Sequence, residues 1–267
     1  MYLKELYIYP IKSARGISLR SARLDARGLE LDRRWMLIDD HGGFLTQRKL
    51  PRMALIQVEV RENRLGIRTE GMEELTIPLL QESGSTRRVQ IWEDTVDAID
   101  AGDAAALWFT SMMDRPCRLV YMPDQTRRLA DPRYARAEAL VSFVDAYPLL
   151  LLSQASLDDL NTRLSEPVTM DRFRPNLVVD GCGPYEEDTW NRLQIGETSF
   201  RVAKPCARCT VPTVDQTTGQ RGVEPLRTLE SYRKNDGKVY FGQNLIHEGT
   251  GILHVGDTVS IIPPQAA

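Results

Sequence analysis

ALIQVEVRENRLGIRTEGMEELTIPLL, residues 54–80, decides the fold class. Ala54, Ile56, Val58 and Val60 alternate with Leu55, Gln57 and Glu59, the two-residue period of a strand with one face toward a core. Polar turn material, RENRLGIRTEG, separates this run from a second apolar stretch, LTIPLL. The pattern predicts a β meander. Downstream, Asp103-Ala-Ala-Ala-Leu-Trp-Phe opens a helical pattern with Leu107, Trp108 and Met112 on one side and Asp103 as the candidate N-cap. A second helix is expected where Ser153 or Ser156 caps a segment carrying Leu157, Leu160 and Leu164, with Pro167 just beyond its end. The last third returns to short strands between Gly, Pro and Asp turns, ending in GILHVGDTVSII, where Gly256-Asp257 breaks two apolar stretches. The expected class is mainly β (α+β), a barrel or sandwich with a few helices and no internal repeat.

A chain of 267 residues can bury a core of ordinary size without disulfides. Its four cysteines, Cys117, Cys182, Cys206 and Cys209, fit a protein whose thiols stay reduced, so a cytoplasmic location is expected. MYLKELYIYPIK lacks the basic and apolar regions of a signal peptide, and an apolar run such as Leu149–Leu152 is too short for a bilayer, so no membrane insertion is expected. With a net charge of −3 there is no general basic field for a nucleic-acid polymer. Local clusters of cations then need local reasons, as at Arg33-Arg34, Arg127-Arg128 and around Lys204 and Arg208.

Four stretches could carry chemistry. KPCARCTVPTVDQTTG, residues 204–219, holds a C-x-x-C pair. Structural zinc needs a second pair of ligands, and the remaining cysteines and histidines are scattered. A thioredoxin-type disulfide needs a helix after its first cysteine, which the β-branched, proline-interrupted Thr210-Val-Pro-Thr-Val opposes. What remains is a structural turn or one thiolate used as ligand or nucleophile, with Lys204 and Arg208 nearby to favour the anion. YPIKSARG, residues 9–16, presents Lys12, Ser13 and Arg15 in a turn, which suits a phosphate and equally a solvated loop. LDRRWMLID, residues 31–39, sets Arg33 and Arg34 inside an otherwise apolar strand, where one should point inward and need an anion. In RFRPNLVVDG, residues 172–181, Arg174 and Asn176 of an extended segment would project to one side, toward a ligand or toward solvent.

YPIKS, DRRW, DAYPLLLLSQASLDDLN, FRPN, CARC, VDQTTG, EPLRTL with YR after it, and FGQN, in this order, resemble the MOSC-domain proteins that carry an N-terminal MOSC β-barrel region. Within them the chain resembles the bacterial YcbX group and the mitochondrial amidoxime-reducing component. The resemblance covers Tyr9 to Val259 and implies an N-terminal region over 1–120 and a MOSC domain over 121–267, with a molybdenum cofactor between them. It implies Cys209 as the sulfur ligand to the metal and the catalytic residue, and Lys12, Ser13 and Arg33 as holders of the pterin phosphate. Arg174 and Asn176 match cofactor-contacting positions. The turn Asp145-Ala146-Tyr147 falls where the family lines the pterin, although Ala146 and Tyr147 stand where mitochondrial relatives have hydroxyl side chains. Cys206 and Arg208 would support the ligand without binding metal, since capture by both thiolates would close the site. Asp215 is a candidate acid, against the alternative of a turn-stabilising Asp.

The implied activity is reduction of a small N-oxygenated substrate, such as an N-hydroxylated base, hydroxylamine or amidoxime. The alternative is a non-catalytic cofactor or sulfur carrier with Cys209 bearing the sulfur. Some bacterial relatives carry a cysteine-rich ferredoxin domain after the MOSC domain; none follows here before Ala267, so a separate flavin or iron–sulfur donor is expected.

Overall fold

The computed structural model describes residues 1–80, 84–135 and 139–263. Among these the largest sheet has nine strands, and its centre is Leu149–Ser153. That strand pairs parallel with Leu177–Asp180 and antiparallel with Lys238–His247. Its apolar run reflects burial on both faces. Leu149 and Leu151 enter one core cluster with Leu6, Leu177 and Leu245, while Leu152 enters another with Leu157, Leu160 and Phe241. Tyr2–Ile8 pairs antiparallel with Leu177–Asp180 and with Ile17–Leu19, so two N-terminal strands extend a sheet otherwise built by the second half of the chain. On the other side Lys238–His247 pairs with Thr198–Ala207, with register shifts between Val202 and Lys204 and between Pro205 and Ala207. Gly242 permits the close approach: its φ is +84°, and a Cβ there would lie 2.8 Å from the Leu151 carbonyl oxygen.

The N-terminal region adds a four-stranded sheet, Trp35–Ile38, Arg118–Tyr121, Asp94–Asp100 and Thr86–Ile91 in spatial order, and the meander Gln57–Arg61, Arg64–Arg68 and Leu75–Pro78. The mainly β (α+β) class is what the structure shows, with three α-helices among the described residues: α1 (Asp103–Met113), α2 (Gln154–Thr162) and α3 (Leu226–Arg233). None is long and apolar enough to cross a membrane.

Several local expectations shift. The alternation from Ala54 becomes a strand only at Gln57, because Pro51 starts a 3-10 turn, Pro51–Leu55, that takes up Ala54. Gly102 is the N-cap of α1, and Asp103 is its first helical residue. The buried stripe of α1 is Ala105, Phe109, Met112 and Met113, while Leu107 is exposed, because the i, i+4 row from Ala105 and not the one through Leu107 faces Ile67 and Ile77. For α2, Ser153 is the cap, its Oγ accepting from the Ser156 amide at 3.1 Å. Both hydroxyls also donate to the buried Glu187 carboxylate, which sits where the helix N-terminus favours negative charge.

Candidate functional site

A cavity of about 290 Å3 opens between the N-terminal turns and the large sheet, and all ten site residues proposed from sequence line it. Its N-terminal wall begins where Tyr2–Ile8 runs into Tyr9-Pro10. Backbone bonds from Trp35 N to Pro10 O and from Lys12 N to Trp35 O fold the next residues across the strand that starts at Trp35. Ser13 takes the left-handed conformation, φ 69°, at the cavity edge. Lys12 is 5% exposed and donates to Phe143 O at 2.8 Å and Asp145 Oδ1 at 2.5 Å. Burial pulls its pKa down to about 8 against the opposing pull of Asp145. Desolvation works against the charge on Asp145 as well, but Lys12, Arg48 and the Trp92 indole N–H outweigh it and hold the carboxyl well below its usual range.

Arg33 is not a strand residue with an inward face. It stands in a left-handed turn, φ 50°, before the strand begins at Trp35, with its amide bound to Tyr9 O. The anion that its burial requires is the adjacent Asp32, at 2.5 Å and 2% exposed. Arg33 also donates to Asn176 Oδ1 at 3.1 Å and Arg174 O at 3.2 Å. Arg34 points elsewhere, to Met122 O and Asp124.

Arg174 is left-handed too, φ 57°, so it and Asn176 do not share the geometry of an extended strand. The Arg174 guanidinium lies 4.2 Å from the Tyr9 ring centroid, and that of Arg33 lies 4.1 Å from it. Arg174 donates to Ala14 O at 2.6 Å, and burial lowers its pKa to about 10. The Asn176 amide is committed to the protein: Oδ1 accepts from Arg33 and from Leu150 N, and Nδ2 donates to Tyr7 O. Asn176 therefore positions Arg33 at the cavity wall.

The opposite wall carries the sulfurs. Arg208, between the two cysteines, donates Nη1 to Cys206 Sγ at 3.2 Å and Nη2 to Phe173 O at 2.7 Å. Cys209 lines the cavity at intermediate exposure and makes no side-chain hydrogen bond among the described residues. After it comes only one 3-10 turn, Val211–Thr213, as Pro212 and its β-branched neighbours dictate. Tyr147 packs its ring with Val141, Val144 and Ile246; its buried hydroxyl has no partner among the described residues, and burial pushes its pKa up to about 12. Asp215 is a turn residue: its Oδ1 accepts from the amides and hydroxyls of Thr217 and Thr218, and the Thr217 bonds lead in holding its pKa at about 2.

Sequence reasoning missed Thr46 and Arg48, which also line the cavity. Arg48 lies 4.3 Å over the exposed Trp92 ring. The basic pair Arg48-Lys49 was a visible signal, but nothing in the sequence marks which of the two turns inward.

Lys12, Arg33, Arg48, Arg174, Lys204 and Arg208 give the cavity six cations, against one lining carboxylate, Asp145. No group of three or more His, Cys, Asp or Glu able to hold a metal occurs among the described residues. One uncommitted thiol facing an excess of cations is a donor set for a metal whose other ligands arrive on an anionic organic carrier, and a molybdenum pterin phosphate fits it.

The chain is similar to known proteins along nearly its whole length. The family model for the MOSC N-terminal beta barrel domain matches residues 1–116, and that for the MOSC domain matches residues 138–260. Mitochondrial amidoxime-reducing component 1 of Mus musculus is 36% identical over 276 residues, spanning 97% of this chain and 81% of the relative. Mitochondrial amidoxime reducing component 2 of Homo sapiens is 36% identical over 274 residues, spanning 96% and 82%. Molybdenum cofactor sulfurase of Oryza sativa subsp. japonica is 35% identical over 269 residues, spanning 93% of this chain and 33% of that protein. With both domain models matched in order and similarity running through nearly its whole length, the chain belongs to the MOSC-domain family of the amidoxime-reducing components.

Proposed function

We propose that the protein is a molybdenum-cofactor-dependent reductase of N-oxygenated compounds that takes electrons from a separate flavin or iron–sulfur protein. The observation that carries this reading is the placement of Cys209, with no side-chain hydrogen bond among the described residues, across one cavity from Lys12, Ser13, Arg33 and Arg174. The names of the relatives, amidoxime-reducing components, supply the substrate class. For an amidoxime the overall change is addition of two electrons and two protons, cleavage of the N–O bond, and release of an amidine and water.

In this reading the cofactor supplies a two-electron centre with an accessible position for the substrate oxygen. The chain's residues do the rest. Cys209 gives the thiolate ligand, and Arg208 keeps Cys206 apart from it by holding the second sulfur. Lys12, Ser13 and Arg33 bind phosphate, while Asp32 and Asn176 fix the direction of Arg33. Asp145 stays ionised and acts as an acceptor on the cavity wall, so it is not the proton donor. Asp215 is excluded from that role by the same reasoning, and we assign the two protons to solvent entering through the mouth.

The carrier reading, in which Cys209 bears sulfur, draws support from the sulfurase relative. Turnover separates the two. Protein from a molybdopterin-producing host, supplied with reduced methyl viologen, should convert benzamidoxime to benzamidine catalytically, and a loaded protein with no turnover would favour the carrier.

A further inference from the structure

The positive charge of the cavity exceeds what a phosphate requires. Lys12 is paired with Asp145 and Arg33 with Asp32. Arg48, Arg174, Lys204 and Arg208 have no ion pair among the described residues, and a phosphate monoester brings about two negative charges near neutral pH. Lys204 stands apart from the other three. Arg174 sits with Arg33 on Tyr9 at the phosphate end, Arg208 spends its fork on Phe173 O and Cys206, and Arg48 stacks on Trp92 beside Asp145. Lys204 belongs to the cysteine strand, two residues before Cys206, and lines the cavity with it.

Its ammonium lies 4.8 Å from the ring centroid of Tyr134 and 5.3 Å from that of Tyr147. The two rings hold the charge by cation–π attraction without neutralising it. The three N–H donors of Lys204 make no hydrogen bond to the protein among the described residues, while its backbone carbonyl accepts from Asn244 at 3.3 Å. Tyr134 is 40% exposed, which puts this cation at the solvent edge of the sulfur wall, with an aromatic face beside it.

We propose that Lys204 is a specificity-determining residue for substrates that carry an anionic group, of which an aromatic N-oxygenated compound with a carboxylate is the representative class. The carboxylate meets Lys204, the ring lies against Tyr134, and the N–O group points toward Cys209. This rests on the reductase reading of the same cavity.

The test uses the loaded protein with benzamidoxime and 4-carboxybenzamidoxime as a matched pair. One charge-assisted contact at a half-open site should favour the carboxylate compound in kcat/KM by about tenfold, through KM. Lys204→Gln should bring the ratio of the two compounds to about one, Lys204→Arg should keep most of the preference, and added salt should erode it in the wild type. Calorimetry with the products, benzamidine and 4-carboxybenzamidine, reads the same preference without turnover. If wild type reduces neither compound, the reductase reading fails, and calorimetry alone then decides whether the anion site exists. Equal binding of the two products by the wild type, or an unchanged preference in Lys204→Gln, would overturn the proposal.

Discussion

Lys12 reaches Asp145 across 133 residues of sequence, and this 2.5 Å contact ties the N-terminal turn to the turn that enters the central strand of the large sheet. The pair is asymmetric: Lys12 is buried, whereas the Asp145 side chain is 56% exposed toward the cavity.

Because burial brings Lys12 down to about 8, its ammonium is present at pH 7 and largely lost by pH 9. The affinity of the cofactor-free protein for a phosphate monoester should therefore weaken by about tenfold between those values, the loss of one charge-assisted contact. The ligand stays a dianion throughout, since its second pKa is about 6. Lys12→Met should bind weakly and show no such dependence. Calorimetry at pH 7, 8 and 9 measures it, and a flat wild-type profile would show that Lys12 does not meet the phosphate.

Arg33→Ala should be a stability variant before it is a cofactor variant. Removing the guanidinium leaves the Asp32 carboxylate buried with the Tyr9 amide and the Asn176 side chain for support but no cation, at a cost of about 3 to 5 kcal/mol. Desolvation already raises the Asp32 pKa, with Arg33 opposing it, so the variant should raise it further. A carboxyl with a raised folded pKa is favoured when protonated, so the variant should regain stability as pH falls toward that pKa. Adding Asp32→Asn should recover much of the loss at pH 7. Urea unfolding would contradict this if Arg33→Ala lost less than about 1 kcal/mol, the range of an exposed pair.

Much of this arrangement is legible in sequence, and the reason is local. YPIKS, FRPN and KPCARC each carry a proline close to a charged or sulfur-bearing residue, so composition reports both the bend and the chemistry. What sequence does not report is backbone sign. Arg33 and Arg174 sit at positive φ, and a strand alternation drawn through either misplaces the side chain. Alternation also fails near Ala54, where Pro51 overrides it, and the helical stripe at Leu107 fails because tertiary contacts choose which of two apolar rows is buried. Arg48, in the turn before Pro51, and Trp92, in the hairpin between Ile91 and Asp94, meet only through tertiary packing, which no single stretch encodes.

Asp215→Asn should leave the acidic limb of the pH–rate profile where it is. Its carboxyl is held at about 2 by Thr217 and Thr218, far below any working pH, so it cannot be the group that delivers a proton. The expected change is a lower melting temperature from a weakened turn. Loss of an ionisation from the profile would reinstate Asp215 as the acid.

The two cysteines should respond unequally to replacement by serine. Cys209→Ser removes the uncommitted sulfur and should abolish both molybdenum retention and reduction, because a hydroxyl is a poor substitute for a soft thiolate. Cys206→Ser should keep the metal with a smaller loss of activity, since its sulfur is already engaged by Arg208. Equal damage from both, with a 206–209 disulfide cycling during turnover, would replace the metal–thiolate assignment by a dithiol one.

The most direct measurement is the metal and pterin content of the wild-type protein purified from a host that makes molybdopterin. The expected result is one molybdenum and one pterin per chain with little zinc, because one thiol facing a cationic phosphate site suits a metal delivered on an organic anion. Stoichiometric zinc with neither molybdenum nor pterin would contradict both the reductase and the cofactor-carrier readings.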